Sequence, residues 1–114
     1  MNIKLSIPEK ISTNKTYAGI HWAVRKKHAD LFHKSMLQFK GKKIKESEYP
    51  VNINYIFTFK TKPLDSTNTT YMGKLLEDGL VKCGVLSSDD YKHVAFSGFY
   101  TQEGEEDLVE IIIA

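Results

Sequence analysis

Residues 51–59 constrain the fold more than any other stretch of this chain. Val51, Ile53, Tyr55, Phe57 and Phe59 alternate with Asn52, Asn54 and Thr58. A period of two places all five apolar or aromatic side chains on one face of an extended strand. Ile56 is the single apolar residue on the other face. Such a segment needs a sheet to sit in and a layer to cover its aromatic side. The following Lys62-Pro63 ends it.

The remaining elements follow from the same patterning. Ile3, Leu5 and Ile7 alternate with polar residues, so residues 2–7 read as a strand that Pro8 closes. Residues 9–16 read as a polar loop. Trp22, Ala29, Phe32, Met36 and Phe39 recur at helical spacing, which predicts a helix from about Ala18 to Phe39 with its apolar stripe inward. A basic loop, Lys40 to Lys45, is broken by Gly41. Thr67, Asn68 or Thr69 can cap a second helix, whose buried stripe is Met72, Leu75, Leu76, Gly79 and Cys83 and whose terminator is Gly84. Val94, Phe96 and Phe99 begin a third strand. Glu103 to Glu106 reads as a hairpin turn into a closing strand, residues 108–113. The expected architecture is therefore α+β, β-α-β-α-β-β, with two helices packed on a mixed sheet in one small domain.

Composition excludes several classes. With 114 residues the chain can bury one core and little more. No apolar run approaches the roughly 20 residues that span a bilayer, and the N-terminus lacks the apolar centre of a signal peptide. Cys83 is the only cysteine, which excludes an internal disulfide and fits a reducing cytoplasm. Its place at a helix end suits a small buried residue. None of His21, His28, His33 and His93 lies in a zinc-binding spacing. There is no glycine-rich phosphate loop, and no Ser/His/Asp set can be read from spacing. Trp22 reads as a core residue rather than a base-stacking platform.

Charge is unevenly placed. Residues 1–62 carry 13 Lys and Arg against 4 Asp and Glu; residues 63–114 carry 3 against 10. A basic half beside an acidic half suits a protein that grips an anionic polymer with one region and places a metal with the other. Two solvated faces are the plainer reading.

The acidic half has an ordered pattern. Asp65-Ser66-Thr67-Asn68 precedes the second helix. Lys74 and Asp78-Gly79-Leu80 lie within it. Gly84-Val85-Leu86 and Asp89-Asp90 follow it. Carboxylates converging from such segments can hold a divalent cation, and a metal beside a lysine is a common means of cutting phosphodiesters. Each piece also has a structural reading. Asp65 can cap a turn, Asn68 can cap the helix, Lys74 and Asp78 can form an i,i+4 ion pair, and Asp89-Asp90 can be a polar turn.

In order and spacing, these motifs resemble the RusA family of phage and prophage Holliday-junction resolvases. Tyr91-Lys92-His93-Val94 and, near the N-terminus, Asn14 to Trp22 with Arg25 and Lys26 are similar as well, so the resemblance covers residues 12–98. It implies a homodimer in the cytoplasm of a bacterial host that makes paired nicks in branched DNA with Mg²⁺ or Mn²⁺. Position by position, Asp65 matches the first loop carboxylate, Asn68 the asparagine beside it, Lys74 the helix lysine, and Asp89 or Asp90 the acid after the Gly-Val turn. Thr67 stands where the family has a second loop carboxylate. The resemblance thus implies metal ligation by Asp65 with Asp89 or Asp90, compensation by Asp78 or Glu77, and loop orientation by Asn68 and Thr67. Lys74 would stabilise phosphate charge. Lys15, Arg25, Lys26, Lys27, Lys40, Lys42, Lys43 and Lys45 would meet DNA phosphates. The rival expectations are a non-catalytic DNA-binding homologue, with Thr67 marking the decayed site, and a small phage protein-interaction module.

Overall fold

A computed structural model describes residues 1–17 and 19–114. The elements are β1 (Asn2–Ser6), α1 (Thr13–Tyr17), α2 (Trp22–Met36), β2 (Val51–Phe59), α3 (Thr70–Lys82), β3 (Val94–Glu103) and β4 (Leu108–Ile113), with short 3₁₀ turns at Leu37–Phe39, Glu46–Glu48 and Ser66–Thr69. The α+β class and the two main helices match the expectation. The four strands form one mixed sheet in the order β1-β4-β2-β3.

β2 is central, and its alternation is realised as read. Val51, Ile53, Tyr55, Phe57 and Phe59 are all buried, together with Ile3 and Leu5 of β1 and Val109, Ile111 and Ile113 of β4. Phe32 and Met36 of α2 and Met72, Leu75, Leu76 and Leu80 of α3 complete the core on the same side. Each such side chain contributes about 1.5–3 kcal/mol on burial. The stacked pairs Phe57–Phe59 (6.2 Å) and Tyr55–Phe99 (5.4 Å) order the aromatic part of this layer.

The segment Glu103 to Glu106 is not a hairpin turn. β3 pairs with β2 in parallel, while β4 pairs with the opposite edge of β2 and antiparallel to it. The chain leaving β3 therefore crosses the end of β2 before returning as β4. Gly104 donates its N–H to Phe59 O (3.1 Å), and Asp107 Oδ1 accepts from Lys60 N–H (2.8 Å), so the crossing is pinned to the strand it passes. A Cβ on Gly104 would overlap Thr58 Cγ2. The local sequence is that of any tight turn; only the preference of β2 for two partners places a strand inside it.

The predicted first helix is shorter and differently begun. Ala18 lies outside the described residues. Thr13–Tyr17, whose first four residues read as loop, forms a helical turn, and Gly19 at φ 92° separates it from α2. α2 starts at Trp22, where His21 Nδ1 accepts from the Ala23 N–H (3.2 Å). Trp22 is not a core residue: it is 71% exposed and stacks on His21. α3 closes as its Gly84 predicts. With Gly84 at φ 89°, Gly84 N–H returns to Val81 O (3.1 Å) and Val85 N–H to Leu80 O (3.0 Å), the Schellman arrangement.

Two glycines of α3 set how closely it docks. A Cβ on Gly79 would lie 2.7 Å from Met36 Cγ, and one on Gly73 would overlap the Phe99 ring. Gly79 thus lets α3 approach α2, and Gly73 lets it approach β3. Among the described residues no helix is long and apolar enough to cross a membrane.

Candidate active site

One flank of α3 carries two of the charged residues singled out in the sequence, Lys74 and Asp78. Lys74 Nζ donates to Asp78 Oδ1 one helical turn later (3.1 Å) and lies 3.5 Å from Asp89 Oδ2, which the loop after α3 brings back. The Asp78 hydrogen bond, with the charges of Asp78 and Asp89, raises the Lys74 pKa above its ordinary value, so the ammonium is secured. Asp78 and Asp89 remain 36% exposed.

The turn geometry separates Asp89 from Asp90, which spacing could not do. Asp90 Oδ1 accepts the backbone N–H groups of Lys92 (3.0 Å) and His93 (3.2 Å) and pairs with His93 Nδ1 (2.6 Å). The His93 bond holds the Asp90 carboxyl below its ordinary pKa. Asp90 therefore organises the turn, and Asp89 is the member that joins Lys74.

Asp65 occupies a different place. It stands at the entry to the 3₁₀ turn Ser66–Thr69, its carbonyl accepts from Asn68 N–H (2.8 Å), and its side chain caps nothing. With Pro63, Leu64, Ser66, Phe99, Tyr100 and Thr101 it lines an open cleft of about 410 Å³. Asn68 Oδ1 accepts from Asn14 N–H (3.2 Å), so it ties α1 to the acidic loop rather than capping α3. Thr67 is exposed, and its carbonyl accepts from Thr70 Oγ1 (3.1 Å). Thr69, at the head of α3, turns its hydroxyl back to Ser66 O (2.6 Å).

Two constellations were not read from sequence. Glu77 Oε1 accepts from both Tyr55 Oη (2.8 Å) and Ser97 Oγ (2.8 Å), stitching α3 to β2 and β3. Burial, and then the Glu77 charge, push the Tyr55 phenol well above its ordinary pKa. Glu77 Oε1 is thus engaged at the core boundary. The signal was available: a tyrosine in the inward register of a buried strand needs a partner for its hydroxyl. Second, His28 of α2 bonds Tyr71 Oη through Nδ1 (3.0 Å) and faces Glu9 through Nε2 (3.6 Å), joining α2, α3 and the segment after β1.

Of the residues expected to form a metal centre, the structure brings Lys74, Asp78 and Asp89 together. Among the described residues no three His, Cys, Asp or Glu side chains are grouped to hold a metal ion. The two carboxylates that share Lys74 still form an all-oxygen pair with a cation between them, and Mg²⁺ commonly takes only one or two protein carboxylates, with waters completing six oxygens. Lys15, Arg25, Lys27, Lys40, Lys42, Lys43 and Lys45 are exposed, and Lys26, also exposed, pairs with Asp30 (2.9 Å). No protein-family model and no curated protein matches this chain.

Proposed function

We propose that this chain is a RusA-type, metal-dependent endodeoxyribonuclease that acts on branched DNA as a homodimer. The observation that supports it most is the ammonium of Lys74 held between carboxylates from two segments, Asp78 of α3 and Asp89 of the loop that follows. That is a site able to hold one cation and to present another to a phosphate. Asp78 and Asp89 would hold Mg²⁺ or Mn²⁺, which when bound supplies a Lewis acid and lowers the pKa of the attacking water. Lys74 keeps its charge through its raised pKa and is 66% exposed, so it can meet a phosphate oxygen where negative charge develops. Asp90 fixes the turn that delivers Asp89. The exposed cations of α2 and of the Lys40–Lys45 segment would hold phosphates without reading sequence.

Incubating the protein with a synthetic four-way junction and Mg²⁺ tests this reading. Symmetric nicks are expected, with Asp89→Asn lowering the nicking rate by about 10²-fold or more while binding persists. A second reading is a junction-binding protein without catalysis. It draws on Thr67, which offers a neutral hydroxyl where the family has a carboxylate, and on the position of Asp65 in the cleft rather than beside Lys74. Tight junction binding with no nicks in Mg²⁺ or Mn²⁺ would establish that reading instead.

A further inference from the structure

We infer that Trp22, at the start of α2, is a stacking platform for an unpaired nucleobase of a bound DNA strand. The inference deepens the proposed function and rests on it for the ligand being DNA. A surface helix normally keeps an apolar stripe against the core along its length. In α2 every residue from His21 to Lys27 is exposed, and the buried residues, Phe32 and Met36, lie in its second half. Trp22 itself is 71% exposed. An indole carries more apolar area than any other side chain, so leaving it in water forgoes the most burial.

The surroundings of Trp22 select its occupant. Trp22, Arg25 and Lys26 fall at i, i+3 and i+4, so both cations lie one turn along the same stripe, with Cβ atoms about 5–6 Å from that of the indole. The first turn of α2 carries no acidic residue to repel an anion. Lys26 is engaged with Asp30 (2.9 Å), and Arg25 makes no ion pair among the described residues. A strand whose base lies on the indole would run its phosphates past these cations. An acidic peptide would use the cations and leave the indole bare. A membrane would need one continuous apolar face, whereas Trp22, Ala23 and Val24 are consecutive and point to different sides of the helix. His21 prepares the platform. Its Nδ1 accepts from the Ala23 N–H (3.2 Å), and its ring stacks on the indole with centroids 5.6 Å apart and planes at 30°. A base laid against the exposed indole would extend a stack already begun. Bases inside a duplex are stacked on both faces, so the platform is open only to an unpaired base, such as one freed at a branch point.

Trp22 is the only tryptophan of the chain, so its emission reports the contact directly. The test is a fluorescence titration of the full chain with a short oligothymidylate and, separately, with an abasic oligomer of equal length, which carries the same phosphates and no bases. The oligothymidylate should quench Trp22, and the abasic oligomer should leave its emission unchanged. Trp22→Ala should weaken oligothymidylate binding about tenfold by anisotropy, equivalent to about 1.4 kcal/mol, with an unchanged melting midpoint, and Trp22→Phe should recover most of the loss. Equal quenching by both oligomers, quenching by neither, or equal affinity in Trp22→Ala would overturn the inference. So would an emission that shifts to the blue as protein concentration rises, since a second copy would then cover the indole. Junction nicking is scored in parallel. Nicking by a protein whose Trp22 ignores the oligothymidylate removes the platform alone, and base stacking in a protein that neither prefers nor nicks junctions removes the nuclease reading alone.

Discussion

Asp90 shows how a single residue can be chemically apt for one role and structurally assigned to another. Its carboxylate is the acceptor for two backbone N–H groups and the partner of His93 Nδ1, and the His93 bond keeps it ionised below the ordinary carboxylate range. A carboxyl whose pKa is lowered by folding adds stability above its unfolded value, near 3.8, and loses it as pH falls through the lower folded value. Wild type should therefore lose thermal stability relative to Asp90→Asn as pH is lowered from about 5 to about 2. Melting curves across this range check it; a constant difference at all pH values would mean that the Asp90 charge is not the cause.

At the scale of elements, α3 is the part on which the site depends. One face packs Met72, Leu75, Leu76 and Leu80 into the core, and the flank beside it carries Lys74 and Asp78. How closely α3 approaches β3 is set at Gly73. Gly73→Ala would drive a methyl group into the Phe99 ring, which is stacked on Tyr55. The gain in helix propensity, about 1 kcal/mol, is outweighed by overpacking, typically about 1–3 kcal/mol and more when the neighbour is fixed. Gly73→Ala should lower the denaturant midpoint, and Gly73→Ala combined with Phe99→Leu should recover part of the loss. An unchanged midpoint in the single variant would show that α3 shifts freely.

For the molecule as a whole, the uneven charge becomes a spatial matter. The exposed lysines at 40, 42, 43 and 45 lie between α2 and β2, and the carboxylates converge on α3 and the loop after it. If the basic segment meets DNA phosphates, Lys43→Ala should weaken junction binding about equally for every sequence and reduce the slope of log affinity against log salt by about 1. Asp89→Asn should leave that slope unchanged. Fluorescence anisotropy over a salt series separates the two; an unaltered slope in Lys43→Ala would place the DNA contact elsewhere.

The amino-acid order by itself determined the elements. Strict alternation made β2, the i,i+3/i+4 stripe made α3, Gly84 ended it, and the i,i+4 spacing paired Lys74 with Asp78. These are short-range consequences of backbone geometry, so they are written locally. What tertiary structure decided was everything that depends on a partner distant in sequence. It inserted β2 between β3 and β4 where a hairpin was expected, exposed Trp22, gave Glu77 to Tyr55 and Ser97, chose Asp89 over Asp90 for Lys74, and seated Asp65 in a cleft. The physical reason is that a side chain's role is fixed by what lies within a few ångströms of it. For these residues the neighbours arrive from other elements, through a strand order that no local pattern encodes.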